Sequence, residues 1–536
     1  MFGSVGTHDG QDRMLDPDDP DITGIRKERL DDLHHDEKHK LRLMSYRERR
    51  KYLSRARVVF NKTTVGHRQN FILTLAKALV KYGAPSHRIE SQLLSAGKIL
   101  DLKCEFVHLP TVIIATFNAD LHSHNERSEV HFIPRKGSLS LGALHLVHQI
   151  YRGVVHDEIS AKDGVKRMEN LFASPPVYGL RVRALLSFLL AACICPLAFG
   201  GSFADMWLAG VGALVLFFVQ TFIASKAIAL YANIYDVTVT VGISFVARAL
   251  SSIRTESFCY TSISSAGIVG ILPGFLILCS SLELGSKNIV CGSVNMVYAL
   301  IYTLTLGFGL QLGSDLFLLV HPSARDTVVQ VVTQDTNPIN GIFMRDFGLN
   351  ATNMLNGAFT FSNTTPVVLD NVVMGCYRPD NLPWYFQAFP WWSEFFLVPG
   401  FAILLSLANA QPWMSWDFLV MILISIVSYL ANKVANHFIF NHSDIVSSIG
   451  AFAVGLLGNI YSRQFGGTAF TVMVPGVLFL VPSGLSQAGG ITAQGDGIEI
   501  GYAMITVTVG ITVGLFLSQA LVYLFGSRKN AAIFSF

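Results

Sequence analysis

The chain has 536 residues, of which 51% are hydrophobic and 14% charged, with a mean hydropathy of +0.44 and a formal net charge of +3. So apolar a composition excludes an ordinary soluble protein and predicts a polytopic membrane protein. Charge is concentrated before residue 184, so the net value averages a charged amino-terminal third with a nearly neutral remainder and makes no case for a nucleic-acid partner.

Residues 1–65 mix acidic and basic side chains with few large apolar ones, which predicts a disordered charged tail. Within it RERRKYLSRARVVF (Arg47 to Phe60) has the pattern of a basic helix, either solvated or laid on anionic lipid. No short apolar core follows a positive start, so no cleavable signal is expected and the first apolar run acts as an internal anchor.

Residues 66–180 read as a compact cytosolic α+β domain. LTLAKALVKYG ends at Gly83, a residue suited to a left-handed cap, and Pro85 and Ser86 open a second helix with Ile89, Leu93, Ala96 and Leu100 on one face. CEFVHLP, TVIIATFNAD and EVHFIP follow as β-rich segments before LGALHLVHQIYRGVVHDEI returns to helix. Histidines are frequent here, but no HExxH or cysteine partner at ligand spacing accompanies them, so no metal is expected. Asp120 and Glu126 fall in a loop without a nucleophile or phosphate-cradling motif, so neither a catalytic residue nor a cofactor is expected. The seven cysteines form neither a disulfide framework nor a zinc pattern.

From residue 181 apolar runs are almost continuous. At about 20 residues per crossing, five segments fit in a first membrane half (181–312), at 184–200, 207–228, 237–253, 258–281 and 289–312. After an extracytosolic loop (313–393), five more fit in a second half (394–536), at 394–409, 416–438, 444–461, 467–486 and 501–525. Lys and Arg in short flanks, among them Arg181, Arg183, Lys287, Arg463 and Arg528, place both termini in the cytosol, with Arg254 as the exception. The long loop then faces outward and carries glycosylation sequons at Asn350 and Asn363. Trp384, Trp391 and Trp392 anchor its end at the interface.

The two halves repeat each other. ILPGFLIL, with Pro273 and Gly274, returns as MVPGVLFL, with Pro475 and Gly476. SKAIALYANIYDVTVTVG aligns with NKVANHFIFNHSDIVSSIG, matching Lys226 with Lys433 and Asp236 with Asp444. An odd number of crossings per half inverts one against the other, giving a 5+5 inverted repeat. A mid-span Pro-Gly removes a helical hydrogen bond, so both runs are expected to break or kink. The freed backbone groups then need a neighbour or a water-filled cavity.

The candidate substrate or ion pathway comprises Pro273, Gly274, Pro475 and Gly476, with Ser264, Ser265, Thr468 and Thr471 crowding the breaks. Close helix packing is the alternative role for those small side chains. Lys226 and Lys433 either meet a substrate carboxylate or snorkel, and Asp236 and Asp444 either carry protons or cap helices. Glu283, just beyond the first break, either belongs to the same candidate pathway or stands as a boundary residue.

At these residues the chain resembles the threonine/serine exporter family and, within it, the fungal pheromone-regulated membrane proteins. The resemblance rests on LAKALVKYGAPSHRIE, which contains Tyr82, Gly83, Ala84, Pro85, His87, Arg88 and Glu90, followed by HLP and FNAD. ILPGFLILCSSLELGSKNIVCGS, MVPGVLFLVPSGLS and the terminal IFSF carry it through the membrane region. Asn295 departs from it, standing where a basic residue is expected in many relatives. The resemblance implies a cytosolic domain on a ten-span carrier that exports threonine and serine by exchange or with protons, or exports small dicarboxylates. Its partners would be a small-molecule substrate and the lipid bilayer. A membrane-anchored enzyme and a structural role in cell fusion are the competing readings.

Overall fold

A computed structural model describes residues 61–525 except 62, 118–128, 136, 225–231, 254–256, 323, 325–335, 345–353, 363–371, 374–375, 378–381, 440–441, 466 and 488–496. The charged tail, Asp120, Glu126, Lys226, Arg254, the sequons at Asn350 and Asn363, and the terminal IFSF lie outside the described residues.

The amino-terminal unit is helical with one small sheet. Helix α1 (Val65–Lys81) stops at Tyr82 because Gly83 takes φ 83°, a left-handed conformation open to glycine without strain. The Ala84 amide then donates to the Leu79 carbonyl and the Gly83 amide to Val80, which closes the helix with a Schellman turn. Helix α2 (Ser86–Ile99) buries Ile89, Leu93 and Ala96, with Leu100 just beyond it, as the spacing predicts. Strands β1 (Cys104–His108), β2 (Val112–Phe117) and β3 (Glu129–Pro134) form an antiparallel sheet in that order. Alternate residues of β2, Ile113, Ala115 and Phe117, are buried. Helices α3 (Leu141–Val155) and α4 (Ala161–Ala173) complete the unit, the second begun by Ser160, whose hydroxyl accepts from the Asp163 amide at 3.1 Å.

The membrane region follows as α5 (Leu180–Phe199), α6 (Phe203–Phe218) running on into a π-helical turn (Val219–Ala224), and α7 (Ala232–Ile253). Next come α8 (Tyr260–Gly267), a 3-10 turn (Val269–Ile271), α9 (Gly274–Gly285) and α10 (Ile289–Val320). Strands β4 (Thr336–Met344) and β5 (Met354–Ser362) pair antiparallel, as do the short β6 (Val372–Val373) and β7 (Cys376–Tyr377). The second set is α11 (Glu394–Ala408), α12 (Trp416–Phe438), α13 (Ser443–Phe465), α14 (Ala469–Gln487) and α15 (Gly497–Phe525).

Among the described residues eight helices are long and apolar enough to cross a membrane, or nine when the bent pair α8/α9 is taken as one span. Helix α14, apolar over Ala469–Ser483, falls short of that length. The outward faces carry exposed leucines and isoleucines such as Ile301, Leu319, Leu423 and Leu430, a surface that lipid rather than water accommodates.

The two Pro-Gly runs differ. Before Pro273, Leu272 adopts φ −61°, ψ 133°, the extended conformation that proline favours in the preceding residue, and the axis bends by 57°. Helix α14 instead runs as α-helix through both Pro475 and Pro482, so the break expected there is absent. Its residues Phe470, Val472, Met473, Val474 and Val477 are fully buried, and packing on that scale holds a helix together across a missing hydrogen bond. One cysteine expectation also changes, since Cys259 is disulfide-bonded.

Candidate functional site

The Pro-Gly elements meet. A Cβ placed on Gly274 would stand 2.9 Å from Leu478 Cδ2 and 3.4 Å from Val481 Cγ2, so the start of α9 lies directly on α14. The Phe275 and Phe470 rings pack edge to face at 6.4 Å. Helix α5 also packs on α11, and α10 on α15.

The hydroxyls near the runs are mostly turned inward. Ser264 donates to the Tyr260 carbonyl one turn earlier at 2.7 Å, Thr471 donates to the Thr468 carbonyl at 2.9 Å, and the two threonine hydroxyls bond each other. Ser265 is 1% exposed, and its Oγ has no hydrogen-bond partner among the described residues.

Glu283 joins the helical bundle to the amino-terminal unit. It lies on α9 with 0% exposure and gathers three donors from distant parts of the chain. The Ser86 amide donates to Oε1 at 3.0 Å, Arg135 donates to the same oxygen at 3.3 Å, and the Asn295 amide donates to Oε2 at 3.0 Å. Arg135 also donates to Ser86 Oγ at 2.8 Å. A buried carboxylate is tolerable only with such compensation, and here the turn that opens α2 supplies it. Asn295 therefore meets the carboxylate as a neutral donor where a basic residue is expected.

The whole Tyr82 to Glu90 segment is built around this junction. Gly83 approaches Phe275, a Cβ there standing 3.5 Å from the ring. Tyr82 donates to the Leu171 carbonyl at 3.1 Å, while Ala84, Pro85 and Ser86 are buried. Arg88 reaches His148 Nδ1 at 3.5 Å. Burial pushes the Glu90 carboxyl up from its ordinary range. Further contacts fasten the unit to one end of the bundle: the Leu141 amide donates to the Asn409 carbonyl at 3.0 Å, Tyr178 donates to Gln411 at 2.7 Å, and His145 Nδ1 lies 3.0 Å from Asp417 Oδ2.

Burial lowers the pKa of His87 to about 4, partly opposed by Glu283, and lowers that of His108 to about 4, with Arg135 adding to the effect. A folded value depressed below the unfolded 6.5 gives stability that is present above pH 6.5 and lost as pH falls towards 4. The melting temperature of the purified chain should therefore drop between pH 6.5 and 4. The double variant His87→Gln, His108→Gln should flatten that slope, and an unchanged slope would assign the acid sensitivity elsewhere.

Asp236 sits in the second turn of α7, where it accepts from Gln220 at 3.0 Å and from Tyr302 at 2.8 Å, so it ties the π-helical turn to α10 rather than capping a helix. Asp444 is exposed in the first turn of α13, the position where a carboxylate complements the helix dipole. Lys433 pairs with Glu394 at a cavity of about 160 Å³ lined by the end of α5 together with α11, α12 and α14. Glu394 and the Arg135–Glu283 contact escaped sequence reasoning. The available signal was a lone acid two residues from a helix end inside an apolar run.

Comparison with known proteins places these features in context. Residues 70–317 match the family described as "Putative threonine/serine exporter". The chain is 32% identical over 505 residues to pheromone-regulated membrane protein 10 of Eremothecium gossypii, covering 90% of this chain and 60% of that protein. It is 32% identical over 494 residues to an uncharacterized protein of Schizosaccharomyces pombe, covering 88% and 57%. A further relative is pheromone-regulated membrane protein 10 of Saccharomyces cerevisiae, 30% identical over 505 residues, covering 90% and 58%. The chain thus spans about three-fifths of the length of these relatives. No solved structure matches significantly.

Proposed function

We propose that this integral membrane protein, whose residues 70–317 match the family described as "Putative threonine/serine exporter", is a secondary transporter exporting small amino acids such as threonine and serine, coupled to protons. The observation that carries the reading is the direct packing of α9 on α14 at Gly274. The bent pair α8/α9, the one such pair among the described residues, then meets its sequence counterpart, which supports a site of the kind that transporters with repeated halves use.

Several features support ten crossings in a 5+5 inverted repeat, with α8/α9 and α14 as the fourth span of each half. The pairing of α5 with α11, α9 with α14 and α10 with α15 is what a pseudo-twofold axis produces. Glu283, Asn409, Gln411 and Asp417 all touch the amino-terminal unit, as alternating crossings require if that unit is cytosolic. The disulfide at Cys259 belongs to the opposite end, where an oxidising compartment and sequons at Asn350 and Asn363 fit together.

Reconstituted in liposomes with an imposed proton gradient, the chain should carry labelled threonine and serine faster than protein-free vesicles. Flux of succinate alone would reassign the substrate to dicarboxylates, and a lack of flux for any solute would reject transport. Pro273→Ala should cut flux by straightening the bent span while leaving protein levels intact. A wild-type rate would show that the bend is dispensable.

A further inference from the structure

We propose that the cavity beside Lys433 binds the zwitterionic head of a small α-amino acid, Lys433 taking the carboxylate and Glu394 the ammonium group. The inference rests on the transport reading and adds a site and a ligand chemistry to it. At about 160 Å³ the cavity is smaller than the roughly 300–1,000 Å³ of pockets that take drug-sized molecules, and it suits a solute of a few heavy atoms. Its lining comes from both halves: Pro196 and Gly200 of the α5 end, Glu394 of α11, Tyr429 and Lys433 of α12, and Ser483 of α14.

The charges are arranged for a dipolar ligand. Lys433 and Glu394 are bonded to one another with side chains 51% and 32% exposed, so opening the pair strips neither of water at great cost. An amino acid inserted between them exchanges one ion pair for two charge-assisted contacts. Helix α5 ends at this wall, with Gly200 left-handed at φ 59°, and Pro196 leaves a carbonyl one turn back without its amide partner. The partial negative charge of that helix end adds to Glu394 in favouring an ammonium group. Tyr429, stacked on Phe479 at 4.9 Å, forms a rigid side wall. A dicarboxylate fits poorly, because one of its charges would face Glu394.

Purified full-length protein in nanodiscs should bind threonine or serine by calorimetry, and should bind neither threonine amide nor 3-hydroxybutyrate comparably, since each lacks one of the two charges. Lys433→Gln and Glu394→Gln should each weaken threonine binding by about tenfold, the worth of one charge-assisted contact, with unchanged melting temperature. Both variants should raise KM for threonine in liposomes. Wild-type KM and affinity in both variants would overturn the site while leaving transport standing. Binding that depends on both residues without flux would keep the site and reject transport. Succinate binding that Glu394→Gln leaves unaltered would overturn the zwitterion assignment.

Discussion

Replacing Glu283 by alanine is expected to detach the amino-terminal unit from the membrane bundle and to abolish transport. The change leaves Arg135 without its carboxylate, with Ser86 Oγ still to bond, and the Ser86 and Asn295 amides without their acceptor at a site of 0% exposure. Breaking a buried ion pair costs about 3–5 kcal/mol, and the lower end applies because Arg135 keeps 21% exposure. Glu283→Gln keeps an acceptor for Ser86 and Arg135, so it should be milder. Protease sensitivity of the 174–180 linker reports the outcome. Cleavage of Glu283→Ala at the wild-type rate would show that the other contacts hold the unit without the carboxylate.

The second large effect belongs to the glycines that let α13 touch α15 and α7 touch α10. A Cβ on Gly514 would stand 2.2 Å from the Ser448 carbonyl oxygen and 2.9 Å from the Phe452 nitrogen. In the first half a Cβ on Gly313 would stand 2.3 Å from the Val241 carbonyl oxygen. These neighbours are backbone and cannot rotate away, so α13 must leave α15, or α7 must leave α10. Gly514→Ala and Gly313→Ala should each destabilise by about 1–3 kcal/mol, the usual cost of overpacking. Gly242 has nothing within 4 Å of such an atom, so Gly242→Ala should be neutral or slightly stabilising. Equal melting temperatures for all three variants would contradict the close packing of these pairs.

What the sequence reveals depends on how local the interaction is. The Schellman turn at Gly83, the apolar face of α2 and the alternation of β2 are set by neighbours a few residues apart, and the amino-acid pattern reports them directly. The bend at Pro273 is legible for the same reason. Its counterpart at Pro475 is not, because the surroundings of α14 decide whether a proline-bearing helix stays whole, and those surroundings are tertiary. Glu283 lies 197 residues from Ser86 and 148 from Arg135, so nothing around it betrays two partners in the amino-terminal unit. Lys433 stands out as a charge in an apolar run, yet only the return of the chain at Glu394, 39 residues earlier, shows what it pairs with.

If α9 and α14 form the moving interface of a transporter, as the proposed function requires, they must separate during each cycle. Tying them together tests this most directly. In a background with the free thiols Cys104, Cys193, Cys195, Cys279 and Cys291 replaced by serine, Gly274→Cys and Leu478→Cys bring two thiols to the contact between these helices. Cross-linked protein in liposomes should lose threonine flux and regain it on reduction, while the uncross-linked variant carries the solute. Flux at the same rate with the link in place would contradict the account.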